Sequence, residues 1–167
     1  MRIAVMSDSH DNIPNMRKAV AEIRKRDCEM IIHCGDFVAP FMLTELEQAE
    51  IPVHGVFGNN DGDQYLLTRN ALTLHKHITL HGTVGQIDAE GCTIAFMHDG
   101  VIAEDLAVAG RFEIVCYGHY HAFTQKKVSD TLLLNPGELL GKDDDAGFCV
   151  VDTRTREVER VIVAQKM

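Results

Sequence analysis

Residues 2–10, Arg-Ile-Ala-Val-Met-Ser-Asp-Ser-His, decide the fold because a short apolar run ends abruptly in polar residues. The apolar run over residues 2–6 predicts a buried strand. Pro14 suits the first turn of a helix, and apolar residues recur at helical spacing from there to about Arg26. The chain is therefore predicted to begin with a strand, a polar loop and a helix.

The same pattern occurs twice more in the first third of the chain. Residues 30–32 predict a second strand, and a helix is expected over residues 41–50, with Phe41 on its apolar side. Residues 53–57 predict a third strand, followed by a short helix over residues 64–72. Helices between successive strands indicate a parallel sheet.

Strands joined by turns dominate the rest of the chain. Residues 78–88 and 92–97 predict a hairpin that turns at residues 90–91, and a helix is expected over residues 102–109. Further strands are predicted at residues 113–117, 123–128, 131–134, 148–152 and 158–163. The expected fold class is α/β, with two mixed β-sheets packed as a sandwich and flanked by helices in four layers. A single domain is expected over residues 1–167.

Composition narrows the class of protein. The chain has 167 residues, of which 46% are hydrophobic and 25% charged, as in ordinary soluble domains. No apolar run is long enough for a membrane span or a signal peptide, so we expect a cytoplasmic protein with no membrane partner. The net charge of −9 argues against a nucleic-acid partner. The five cysteines form no C-x-x-C pair, which favours buried free thiols over disulfides or zinc-thiolate sites.

Polar residues of metal-binding type follow several of the predicted strands. Ligands in open α/β folds bind at the carboxyl ends of strands, so these residues are expected to meet at one rim. Each piece alone is weak evidence, since Gly-Asn-Asn-Asp, for example, is also an ordinary turn. Their conjunction at successive strand ends predicts a metal site. The candidate residues lie in Asp8-Ser9-His10, Gly35-Asp36, Gly58-Asn59-Asn60-Asp61, Met97-His98-Asp99-Gly100 and Gly118-His119-Tyr120-His121.

These residue types suit a pair of divalent cations. Two such ions about 3.5–4 Å apart can clamp a phosphoryl group and activate a water molecule as hydroxide. Mixed nitrogen and oxygen ligands favour Mn, Fe, Co, Ni or Zn over Mg or Ca. A shared carboxylate suits the pair, and Asp36 is the candidate. The adjacent glycines, Gly35, Gly58 and Gly118, are expected to permit sharp turns and close backbone approach.

The order of the motifs resembles that of the calcineurin-like metallophosphoesterases. The motifs are Asp8-x-His10, Gly35-Asp36, Gly58-Asn59-x-Asp61, His98 and Gly118-His119-x-His121. The resemblance runs from residue 1 to about residue 140, and Asn135-Pro136-Gly137 is similar to the small single-domain phosphodiesterase branch. It implies an enzyme that hydrolyses a small phosphodiester with a hydroxide activated by two transition-metal ions. Manganese is the first choice, with Ni, Co, Fe or Zn as alternatives.

The resemblance also implies roles for individual residues. One ion would be held by Asp8, His10, Asp36 and His121, and the second by Asp36, Asn59, His98 and His119. Asp61 would lie further out and orient a neighbour by hydrogen bonding. The catalytic candidates are Asn60, Asp61 and His98.

Three residues depart from the family pattern. Asn60 stands where many members have a histidine, and it has no titrating proton, so poor leaving groups should react slowest. It could still hydrogen-bond a phosphoryl oxygen. Asp99, directly after His98, is most simply a turn residue, with a ligand or base role left open. Tyr120 is expected to face away from its flanking histidines on a strand and to pack in the core.

Other metal sites and other functions are alternatives to a two-metal phosphodiesterase. His75, His77 and His81 could form a separate metal cluster, but a surface role is favoured, while His33 suits a core or supporting role. A non-catalytic metal-binding scaffold of the same fold is the alternative function, and Asn60 keeps it open. A nuclease is disfavoured by the acidic balance. Resemblance alone suggests a homodimer or a larger homo-oligomer.

Overall fold

The computed structural model describes residues 1–166, which form eleven strands and four helices. In chain order the elements are β1 (Arg2–Met6), α1 (Ile13–Lys25), β2 (Met30–His33), α2 (Phe41–Glu47), β3 (Val53–Gly55), α3 (Gln64–Leu74), β4 (Ile78–Leu80), β5 (Val84–Ala89), β6 (Cys92–Met97), α4 (Gly100–Ala109), β7 (Ile114–Cys116), β8 (Phe123–Val128), β9 (Thr131–Pro136), β10 (Ala146–Asp152) and β11 (Val158–Ala164). The helices and strands are distributed over two sheets and two helical layers.

The first sheet has six strands in the order β11-β10-β1-β2-β3-β4. Strands β1 to β4 are parallel, as the helices between them require, and β10 and β11 add antiparallel partners at one edge. Strand β1 is buried on both faces. Ala4 and Met6 pack with the helices of the outer layer, whereas Ile3 and Val5 pack against the second sheet. This double burial explains the unbroken apolar run.

The second sheet has five strands in the order β5-β6-β7-β9-β8. Strands β6, β7 and β9 are parallel, and hairpins add β5 and β8 at the edges. Helix α4 covers the outer face of this sheet, where Ala103 and Ala107 pack with Val115 and Leu133. The layers are thus helices, sheet, sheet and helix. The predicted fold class is confirmed.

The predicted continuous strand over residues 78–88 is wrong. It is two strands in different sheets, because β4 ends at Leu80 in the first sheet and β5 begins at Val84 in the second. The chain crosses between the sheets at Gly82, which has a φ of 77°. The hairpin turn that follows is confirmed, with Glu90 and Gly91 both left-handed (φ of 56° and 86°).

Helix α2 differs from its predicted bounds, whereas the cysteines agree with their predicted state. The helix ends at Glu47 rather than residue 50, and Met42 is buried in place of Phe41, which is 47% exposed. The expectation for the cysteines is confirmed, since all five are buried and free.

Within residues 1–166, none of the helices has the length and apolar character that crossing a bilayer requires.

Candidate metal centre

The candidate ligands meet at the rim where the carboxyl ends of strands in both sheets come together. They form two groups with Asp36 between them. We call Asp8, His10 and His121 the His121 side, and Asn59, His98 and His119 the Asn59 side. Ligand atoms of Asp8, His10 and His121 lie within 4.8 Å of one another, as do those of Asp8, Asp36 and His98. The first sheet supplies Asp8, His10, Asp36 and Asn59, and the second supplies His98, His119 and His121.

The His121 side surrounds one buried carboxylate oxygen. Asp8 Oδ1 lies 3.7 Å from His10 Nε2 and 3.4 Å from His121 Nε2. Among the described residues, neither Asp8 Oδ1 nor His10 Nε2 has an aligned hydrogen-bond partner, although both atoms are buried. Buried polar atoms are costly without a partner. A divalent cation between these oxygen and nitrogen donors would supply that partner, so the donor set fits a metal.

The Asn59 side is organised around an amide oxygen. Asn59 Oδ1 accepts hydrogen bonds from His98 Nε2 at 3.0 Å and from His119 Nδ1 at 2.9 Å. The other ring nitrogen of His98, Nδ1, donates to the carbonyl oxygen of Cys34 at 2.8 Å. His98 is buried, whereas Asn59 and His119 are exposed. This side therefore opens to solvent.

Asp36 faces both sides. Its Oδ2 atom lies 3.4 Å from His10 Nε2 and 3.4 Å from His98 Nε2. Asn60 holds this carboxylate, donating from its side chain to Oδ2 at 2.7 Å and from its backbone to Oδ1 at 2.8 Å. Asp61 is buried outside the cluster and accepts from the backbone N–H groups of Asp36 at 3.0 Å and Gly58 at 2.7 Å. Asp61 thus fixes the two loops that carry Asp36 and Asn59.

The backbone at this rim is unusual. A left-handed conformation is found at Asp8, His10, Asp36, His119 and His121, with φ between 40° and 73°. Such residues cost free energy and cluster at functional sites. The glycines permit close approach, as predicted. A Cβ on Gly58 would lie 2.1 Å from Asp36 Oδ1, and one on Gly118 would lie 2.0 Å from Ser7 Oγ.

Neighbouring groups shift the pKa values of several residues in the centre. Burial raises the pKa of Asp8, but the neighbouring His10 and His121 imidazoles outweigh it and hold that pKa well below the usual range. Contact with Asp8, opposed by burial and aided by Glu138, raises the pKa of His121 to about 9. Burial raises the pKa of Asp36, but His98 and Asn60 lower it overall to about 2. The carboxylates are therefore ionised and ready to bind cations at neutral pH.

Comparisons with known proteins agree with this geometry. The family model described as the calcineurin-like phosphoesterase superfamily domain matches residues 1–156. The chain belongs to this superfamily. The predicted family is thereby confirmed, and membership places the chain among the enzymes that hydrolyse phosphoric esters.

Two relatives cover most of the chain. A phosphodiesterase of Methanocaldococcus jannaschii, MJ0936, is 31% identical over 165 residues, which are 98% of this chain and 99% of that protein. A probable metallophosphoesterase of Methanothermobacter thermautotrophicus is 31% identical over 142 residues, 82% of this chain and 76% of that protein.

Solved structures share the fold. A structure described as a novel archaeal phosphodiesterase has a TM-score of 0.90 and 29% identity, covering 97% of this chain and 99% of that one. Vps29 of Entamoeba histolytica has a TM-score of 0.68 at 18% identity, covering 97% of this chain and 99% of that one, and shows the fold alone.

Sequence reasoning missed Glu138 in this candidate site. Glu138 is fully buried, and its Oε2 accepts a hydrogen bond from His121 Nδ1 at 2.6 Å. Its Oε1 accepts from the backbone N–H groups of Asp143 and Asp144, the latter at 2.8 Å. A carboxylate that holds the far nitrogen of a metal-binding histidine fixes the ring and its tautomer. The available signal was an acidic residue directly after Asn135-Pro136-Gly137 at a strand end.

Tyr120 is not in the core. His119 and His121 lie in a left-handed loop after β7 rather than on a strand, so the side chain between them is not forced inward. Tyr120 is 54% exposed, and its ring centroid lies 5.4 Å from that of His119. Asp99, expected first as a turn residue, is the N-cap of α4, and its Oδ1 accepts from the backbone N–H groups of Val101 and Ile102.

The other histidines lie outside the centre. His33 is fully buried between Ser9 Oγ and the Gly35 N–H group, and burial lowers its pKa to about 3, which fits the supporting role expected of it. His77 Nδ1 lies 2.9 Å from the Glu47 carboxylate, and His81 pairs with His54 at 2.9 Å. Within residues 1–166, these side chains form no cluster of three ligand atoms.

Proposed function

We propose that this protein is a phosphodiesterase that hydrolyses a small phosphodiester with two divalent metal ions. The observation that carries the proposal is the position of Asp36 Oδ2, at 3.4 Å from imidazole nitrogens on both sides of the centre. One carboxylate so placed is suited to binding two ions at once. The relative named as a phosphodiesterase supports the choice of a diester.

The proposed ligand sets follow the two sides. One ion is held by Asp8, His10, Asp36 and His121, and the other by Asp36, Asn59, His98 and His119. His98 and His121 support this assignment, because each uses Nδ1 for a hydrogen bond to a protein acceptor. Each ring therefore keeps Nε2 for a metal, which would displace a proton from that atom.

Two bound cations would lower the pKa of water and stabilise charge on the phosphoryl oxygens. The chain prepares the site for them. Asn60 holds Asp36 through two hydrogen bonds. The second N–H of its side-chain amide is our candidate donor to a phosphoryl oxygen. Asp61 positions the loops of Asp36 and Gly58 through their backbone N–H groups. His98 and Asn60 are our candidates for substrate contact.

Manganese is our choice of native metal, with Ni, Co, Fe and Zn as alternatives, because the donors mix imidazole nitrogen with carboxylate and amide oxygen. The single domain over residues 1–167 and the homo-oligomer stay predictions.

A metal add-back assay tests the proposal. The protein is stripped with chelator, supplied with Mn, Ni, Co, Zn or Mg singly, and assayed with bis(p-nitrophenyl) phosphate beside p-nitrophenyl phosphate. We expect a transition metal to restore diester hydrolysis, and His121→Ala to abolish it. The control is His77→Ala, which removes a histidine that bonds Glu47 instead. Absence of turnover with every metal, despite bound metal, would favour the scaffold alternative.

A further inference from the structure

An apolar cavity adjoins the Asn59 side of the metal centre. Its volume is about 470 Å³, within the roughly 300–1,000 Å³ typical of small-molecule sites. Asn59, His98 and His119 form the wall that the cavity shares with the centre. The remaining wall is largely apolar and comes from both sheets and α4. Its side chains include Phe57, Thr83, Val84, Met97 and Ile102.

The cavity wall carries little charge. None of the described residues that line it is a lysine or arginine, and Asp99 is its one acidic side chain. Asp99 Oδ1 accepts hydrogen bonds from the N–H groups of Val101 at 2.8 Å and Ile102 at 3.0 Å, which keeps this carboxylate fixed at the start of α4. Away from the wall shared with the metal centre, an anionic group in the cavity would therefore lose its hydration without gaining a cationic partner, and would face Asp99.

We infer that this cavity binds the uncharged, apolar ester group that stays on the phosphate when the leaving group departs. The inference rests on the proposed function, in which the reacting phosphate lies against the metal centre. A diester with a hydrophobic substituent fills the cavity and buries apolar surface. A monoester offers an anionic oxygen in place of that substituent, and a diester with a second anionic group places that charge beside Asp99. The cavity thus selects hydrophobic diesters over both.

Three diesters with one leaving group test this selection. Methyl, benzyl and 4-carboxybenzyl p-nitrophenyl phosphate all release p-nitrophenolate and differ only in the second ester group. With the metal-loaded protein we expect kcat/KM for the benzyl ester to exceed that for the methyl ester about tenfold, mainly through KM. The 4-carboxybenzyl ester is expected to lose most of this gain.

Variants locate the effect in the cavity. Ile102→Asp should bring the benzyl-to-methyl ratio close to one, and Val84→Asp, on a different element, should do the same if the first variant folds poorly. Val108→Asp is the matched control, because Val108 lies on the same helix as Ile102, is 68% exposed and is outside the cavity wall. It should leave the ratio unchanged. Asp99→Asn keeps a side chain that caps helices and should raise the rate for the 4-carboxybenzyl ester a few-fold relative to the benzyl ester.

The outcomes separate the two proposals. If none of the three diesters is hydrolysed with any metal, the proposed function is wrong. If both esters are hydrolysed with equal kcat/KM, or the benzyl preference survives in both aspartate variants, the cavity does not bind the ester group. A benzyl preference lost in Ile102→Asp and kept in Val108→Asp supports the inference.

Discussion

The His121 side and the Asn59 side of the metal centre use different chemistry. On the His121 side, the imidazole of His121 lies between two fully buried carboxylates, those of Asp8 and Glu138. On the Asn59 side, a neutral amide oxygen contacts His98 and His119, and His119 is exposed beside the apolar cavity. We therefore predict that the His121 side binds its metal ion more tightly, and that the Asn59 side, which is more exposed, contacts the substrate.

Asp36→Ala should have the largest effect, because it removes the group that faces both sides. We expect the variant to lose both metals and to lose activity by roughly a thousandfold or more. Elemental analysis of the purified variant measures this directly, with circular dichroism to verify folding. Full metal content in a folded Asp36→Ala protein would refute the shared site.

Glu138→Gln should weaken metal binding on the His121 side alone. The amide preserves the size of the side chain, but it removes the charge that holds the His121 Nδ1 proton. We expect metal affinity at one of the two sites to fall about 10–100-fold, as measured by titration calorimetry. Asp143→Asn is the matched control, since its carboxylate lies 3.7 Å from the same nitrogen but its side chain is 57% exposed. An equal loss in both variants would argue against a special role for the buried glutamate.

Asn60→His should change the reaction at the junction of the two sides. A histidine there adds a titrating proton that asparagine lacks, which favours poor leaving groups. We expect the ratio of monoester to activated-diester turnover to rise about tenfold. The substitution also removes the hydrogen bond from the Asn60 side chain to Asp36 Oδ2. The metal content of the variant shows whether losing this bond weakens metal binding. An unchanged ratio in a metal-loaded variant would contradict this account of Asn60.

The pH dependence of the free energy of unfolding should show the smallest effect. His121 has a folded-state pKa of about 9, above the ordinary 6.5. Between these values the metal-free folded protein keeps a proton that the unfolded chain has lost, so the free energy of unfolding falls as pH rises. Partial exposure limits the loss to on the order of 1 kcal/mol. Urea unfolding after chelation should show this slope. Burial lowers the pKa of His98 but Asp36 raises it overall, so His121→Asn should reduce the slope without abolishing it, while His77→Ala keeps it.

Much of this architecture could be predicted from the sequence, because buried strands and the polar residues after them leave local patterns. The left-handed loops that orient the ligands leave no such local pattern in the sequence. Asp8 and His121 adopt the left-handed conformation only in the folded site. The break at Gly82 was hidden for a similar reason. Apolar residues continue on both sides of it, although the two strands belong to different sheets.

Contacts between distant residues account for the other differences. Glu138 lies seventeen residues from His121 along the chain, and neither residue alone signals the pair. Asn60 was predicted from a family pattern, but its hydrogen bonds to Asp36 across 24 residues depend on how the loops fold together. The prediction that Tyr120 packs in the core depended on a strand at that position, and this strand does not form. Local patterns thus identified the candidate ligands, while the groups that hold them required the structure.

Electron paramagnetic resonance of the manganese-loaded protein tests the central claim most directly. If Asp36 links the two sides, two Mn²⁺ ions per chain should lie about 3.5–4 Å apart and give an exchange-coupled spectrum. His121→Ala should convert it to the six-line spectrum of an isolated ion. An uncoupled spectrum in the unaltered protein at two ions per chain, or saturation at one ion, would contradict a shared two-metal centre.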